Sequence, residues 1–110
     1  MDLLNELNML TNQLSEAIKI MARYGKEKAE AEKNYKIALR QEALILRSEK
    51  DMAVTLIDKV VYGVSDVADK RFKRDVAEAV YQANQEAINS IKLQIRVIEN
   101  QLSREWSSTK

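Results

Sequence analysis

The chain has 110 residues, 18 of them basic and 17 acidic, for a formal charge of +1. That length holds one domain, and that balance excludes a global pull toward nucleic acid or an anionic membrane. Cysteine and histidine are both absent, which excludes disulfides, thiolate catalysis, zinc–thiolate sites and the commonest general base and metal ligand.

The opening stretch MDLLNELNMLTNQ carries Asp2 and Glu6 and no basic region ahead of an apolar run. It does not read as a secretory signal. The most apolar stretch, VTLIDKVVYGV (54–64), is interrupted by Asp58 and Lys59 and is too short to span a bilayer. A cytoplasmic protein without a membrane partner is the expectation.

Proline is absent and glycine occurs only at Gly25 and Gly63, while Ala, Leu, Glu, Gln, Lys and Arg dominate. The preference is strongly helical. A 4,3 spacing runs Leu3, Leu7, Leu10, Leu14, Ala17, Met21, Tyr24, Lys28, Ala31, Tyr35, Ala38, Glu42, Ile45. Apart from Lys28 and Glu42 it is apolar, the seam of a coiled coil. The first helix is placed at about 3–48, roughly 70 Å at 1.5 Å per residue.

SEKDMA (48–53) reads as a turn, and about 55–62 as a short helix capped by Thr55 and closed by Gly63. The last helix, about 66–106, has Ser65 as its N-cap, with Asp66 and Asp69 suiting the dipole. Its stripe is Phe72, Val76, Val80, Ala83, Ala87, Ile91, Ile95, Ile98, Leu102, the spacing of a nearly straight amphipathic helix. Residues 107–110 are expected to be a disordered tail, leaving 1–106 as a single helical domain.

The fold class is therefore all-α: an antiparallel long-helix hairpin with a short connecting helix, assembling into an oligomeric helical bundle. Ile18, Ile20, Ile37, Leu39, Leu44, Leu46, Leu93 and Val97 lie off the seams and would stay wet in an isolated hairpin. Burying each is worth about 1.5–3 kcal/mol, a drive to self-association. Core or oligomer contacts are expected at Leu7, Leu10, Leu14 and Met21 on the first helix. On the last they are expected at Phe72, Val76, Val80, Ile91, Ile95, Ile98 and Leu102. Trp106 should dock near Leu7 and Leu10 or on a symmetry mate.

Lys70, Arg71, Lys73 and Arg74 form the densest basic cluster. At i,i+4 spacing Asp66 meets Lys70, Asp69 meets Lys73, Arg71 meets Asp75 and Arg74 meets Glu78. A self-neutralised solvent face is one reading. The other is an anion site, because arginine recognises phosphate in a planar fork and the cluster lies near a helix start. In a hairpin whose facing residue numbers sum to about 114, Lys28 would pair with Glu86, and Ala31 would face Ala83 across a thin layer or small pocket.

No acidic spacing suits a metal, and no Gly-rich phosphate loop exists. No cofactor and no enzymatic activity are expected. VTLIDKVVYGVSDVADKRF superficially suggests helix-turn-helix, but its second helix runs on for dozens of residues with interleaved acids, which argues against DNA reading.

NYKIALRQEALILRSEK (34–50), VTLIDKVVYG (54–63) and VADKRFKRDVAEAVYQANQEAINSIKLQIRVIENQLSREW (67–106) together resemble small helical proteins encoded by bacteriophages. The resemblance implies expression in the host bacterial cytoplasm and roles such as inhibition of host defence, recombination accessory or scaffold. Its leading implication is an anti-defence factor that sequesters a nucleotide immune signal or binds a host defence protein. For a nucleotide, Arg40, Arg47, Arg71 and Arg74 are the expected phosphate contacts, with Tyr35, Tyr62 or Tyr81 stacking on a base. The alternatives are a coiled-coil adaptor whose ligand is another helix, and an accessory that binds single-stranded DNA.

Overall fold

A computed structural model describes residues 2–108. It is built from α1 (Leu3–Ser48), α2 (Val54–Val60), a 3₁₀ turn (Val61–Gly63) and α3 (Ser65–Ser108), with no strand among the described residues. The expected long–short–long order of helices is the order found.

Local chemistry explains most of the boundaries. Asp2 caps α1, its Oδ1 accepting from the Leu4 N–H at 3.1 Å. Past Ser48, Asp51 adopts φ 49°, a left-handed conformation that Asp tolerates better than most residues. The reversal lets the Met52 N–H donate to the Leu46 carbonyl at 3.1 Å, and Arg47 Nη1 donate to the Met52 carbonyl at 3.1 Å.

Three details of capping differ from the sequence reading. Ala53, not Thr55, occupies the N-cap of α2, in extended conformation and with no side-chain hydrogen bond. Gly63 does not take the positive φ of a left-handed cap; the chain instead tightens into a 3₁₀ turn ending at Val64. Ser65 is already inside α3, where Val64 provides the first carbonyl, accepting from Ala68 N–H at 2.9 Å. Helix α3 also continues through Ser107 and Ser108, expected as tail, while Thr109 and Lys110 lie outside the described residues.

The chain divides into two compact units, one drawn from Met1–Arg23 with Tyr81–Lys110, the other Tyr24–Val80. Within the first, α1 and α3 run antiparallel, since Leu3 neighbours Gln101 and Arg104 while Ala17 meets Asn84. Leu10, Ile88 and Ile98 are buried, and Leu7, Leu14, Met21, Ile91, Ile95 and Leu102 are half-buried. Asn84 Nδ2 donates to the Ala17 carbonyl at 3.1 Å. Trp106 is 68% exposed, so most of its indole is left uncovered within the chain.

The Tyr24–Val80 unit holds the principal core, Tyr35, Leu46, Ile57, Val61 and Val67, with Leu39, Ala43, Met52 and Val64 against it. Leu46, expected to be wet, is thus part of the core, and Leu39 packs on its edge. Val67 is fully buried and sets the rotation of α3. At about 100° per residue, Phe72 lies some 140° around the helix from Val67. The inward line in this unit therefore passes through Val67, Arg74 and Ala77, while Phe72, Val76 and Val80 point away and are 68%, 45% and 38% exposed. As an intrachain seam the expected α3 stripe fails here and holds only from Ile91 onward.

The register differs as well. Ala17 and Asn84 add to 101 and Glu32 and Arg74 to 106, not to 114. The basis for pairing Lys28 with Glu86 and Ala31 with Ala83 falls away.

Candidate functional site

The expected ligand residues do not converge on one pocket. Arg74 is the most constrained of them, its side chain only 24% exposed. Its guanidinium carbon lies 4.5 Å from the centroid of the Tyr35 ring. Its Nε and Nη2 donate to Asp75 Oδ1 at 3.0 and 2.9 Å, and Glu32 Oε2 lies 3.8 Å from Nε. The hydrogen bond to Asp75 holds this guanidinium above its ordinary pKa against a smaller opposing desolvation, with the Asp75 and Glu32 charges adding. A phosphate would have to displace two carboxylates to reach it.

Tyr35 is buried, one face covered by Arg74, and so offers no platform to a base. Tyr81 belongs to the other unit, half-buried, its hydroxyl accepting from Gln85 Nε2 at 3.4 Å. Arg47 is exposed but tethered to the Met52 carbonyl. Arg40 lies on the outer side of α1, where it lines a shallow hollow with Lys33, Lys36 and Ile37.

Arg71 is different. Its guanidinium carbon stands 5.6 Å from the Tyr62 ring centroid, and that ring is 45% exposed. The expected pairs Asp66–Lys70, Asp69–Lys73 and Arg71–Asp75 do not close among the described residues; the acids on Arg74 are Asp75 and Glu32. The cluster is therefore less self-neutralised than i,i+4 spacing implies.

A hollow lies beside Ala31, but Ala83, expected to face Ala31 there, does not line it. It is lined by Glu27, Glu30, Ala31, Asn34, Lys70 and Lys73, with a volume of about 220 Å³. That is smaller than most ligand pockets, and its two glutamates oppose an anion. Sequence spacing missed it because a lysine pair on α3 meets this part of α1 only in the observed register.

The Phe72–Val76–Val80 line, expected as core or oligomer contact, is exposed within the single chain. Among the described residues no cluster of acidic side chains is arranged to hold a metal ion, and no helix is long and apolar enough to cross a membrane. No family model matches the chain, and neither a curated protein nor a solved structure does.

Proposed function

We propose that this chain is a non-enzymatic helical scaffold that works by docking helices, beginning with its own, through the outer face of α3. The observation that carries this reading is the run Phe72, Val76, Val80. These are three large apolar side chains one turn apart, exposed by 68%, 45% and 38% on a helix whose opposite side is already packed. Leaving Phe72 wet forgoes about 1.5–3 kcal/mol, and an apolar line of this kind on a regular helix suits helix-in-groove recognition.

The test is mass against concentration. Light scattering at micromolar protein is expected to give at least twice the 12.6 kDa chain mass, and the thermal midpoint is expected to rise with concentration because association and folding are linked. Phe72→Glu should return the protein to the mass of one chain with its helicity intact. A wild-type monomer at all concentrations defeats the reading.

A second reading is favoured by one observation, the Arg71–Tyr62 pair. An arginine with no acidic partner among the described residues, beside a half-exposed ring, is a small platform for a phosphorylated base. An anti-defence role that sequesters a nucleotide in a phage-infected cell belongs with it and rests on the sequence resemblance. Calorimetric titration with cyclic and ADP-ribose-type nucleotides decides it. Heat that disappears in Arg71→Ala supports the reading, and no heat with any of them ends it.

A further inference from the structure

Resting on the helix-docking reading, we infer that the occupant of the Phe72–Val76–Val80 face is the outer side of α1 in a second copy of this chain. The two helices lie antiparallel, Leu44 against Phe72 and Ile37 against Val80.

The outer side of α1 in the Tyr24–Val80 unit has an apolar centre and a basic edge. Ile37 and Leu44 are 47% and 58% exposed and stand two turns apart on the same side. Lys33, Lys36 and Arg40 share a shallow hollow with Ile37, and Arg47 falls one turn beyond Leu44 on that side. Lys36 pairs with Glu32 at 3.5 Å, but Lys33 and Arg40 have no acidic partner among the described residues.

The α3 face carries the opposite character. Asp69 lies on the same side as Phe72, Val76 and Val80, and Asp75, whose Oδ1 already accepts from Arg74 at 2.9 Å, stands at its edge. Lys73 also borders this face, but it lines the hollow shared with Glu27 and Glu30 on the other flank. Asp69 has no basic partner among the described residues.

The two faces match in length and in charge. At 1.5 Å per residue, Ile37 to Leu44 spans about 10.5 Å and Phe72 to Val80 about 12 Å. Setting Leu44 opposite Phe72 in an antiparallel pair brings Arg47 opposite Asp69, and Arg40 opposite Val76 with Asp75 adjacent. Opposite charges then flank an apolar centre, the arrangement that fixes register and orientation in paired helices. Packing α3 on a second α3 leaves the basic side of α1 uncovered. Each copy presents both faces, so the contact either closes on itself or repeats.

The chain has no cysteine, which makes a cross-linking test clean. Leu44→Cys and Phe72→Cys are prepared separately, mixed, and oxidised under mild conditions. A disulfide-linked species of twice the 12.6 kDa chain mass is expected from the mixture and from neither variant alone. Arg47→Asp and Asp69→Arg should each weaken association in the otherwise natural chain, and the two changes combined should restore it. Should Phe72→Cys link to itself as well as to Leu44→Cys, or the paired charge reversal fail to rescue, the α1–α3 arrangement is overturned. The scaffold reading survives in that case, provided Phe72→Glu still dissociates the wild-type assembly.

Discussion

Arg74 and Tyr35 hold one another in place: the guanidinium carbon stands 4.5 Å from the ring centroid, and Asp75 and Glu32 fix its edges. The pair joins α3 to α1 beside the core of the Tyr24–Val80 unit. A cation over a ring contributes about 0.5–1 kcal/mol at exposed sites and more when desolvated. A double-mutant cycle of Arg74→Ala and Tyr35→Leu, read by urea unfolding, should show a coupling of about that size. Arg74→Lys should recover only part of it, since lysine lacks the planar fork. Additive effects would show that the two residues merely lie close.

Leu46→Ala should be among the most damaging single changes. The side chain is 7% exposed and packs with Ile57, Val61 and Val67, and truncations of this kind cost about 2–5 kcal/mol. Leu44→Ala, two residues away and exposed, should cost far less in a monomeric background such as Phe72→Glu. Similar losses at both positions would contradict the observed face of α1.

At Asp51 the backbone sits at φ 49°. Asp51→Gly should be neutral or stabilising, whereas Asp51→Val should destabilise by about 1–2 kcal/mol, because a β-branched side chain is far less tolerated than Asp in the left-handed region. Thermal unfolding of the two variants checks the order.

The N-cap of α2 is an unused position. Ala53 already has the extended backbone of a cap but no side-chain oxygen to offer, so Ala53→Ser or Ala53→Asp should add about 0.5–2 kcal/mol. Differential scanning calorimetry should register a higher midpoint.

Gly63 is not needed where it stands. Its φ is not positive and a Cβ there would meet nothing within 4 Å. Gly63→Ala should therefore stabilise by about 0.4–1 kcal/mol by restricting the unfolded chain. A loss of stability would mean that the 3₁₀ turn opens in solution.

The helices were legible because breakers are so scarce: with no proline and two glycines, propensity and heptad spacing locate α1 and α3 to within a residue or two. Their rotation and register were not. Phe72, Val76 and Val80 fit an apolar stripe as well as any inward-facing set, and only Val67, buried by the connector, decides which side of α3 turns in. Val67 is one apolar residue in a short segment and has no periodic signature of its own. The same limit explains the hollow at Ala31, whose lysine lining depends on register. It explains Leu46 too, which belongs to the core because the chain turns back over it at Met52. For the basic cluster, i,i+4 spacing names neighbours but not rotamers, and Arg74 turns toward Asp75 and Glu32.

The bond from Asn84 to the Ala17 carbonyl makes the two helices unequal in what they can tolerate. Heptad-spaced leucines and alanines pack without a direction of their own, and this bond adds a directional contact between α1 and α3. Its acceptor is main chain, so any helix-compatible residue at position 17 can present it. At position 84 only a side chain that carries a donor of the right reach can make it. In a saturation library scored for folding, position 17 should read as nearly silent and position 84 as narrow. A comparison of sequences alone would then miss the partner that Asn84 is kept for.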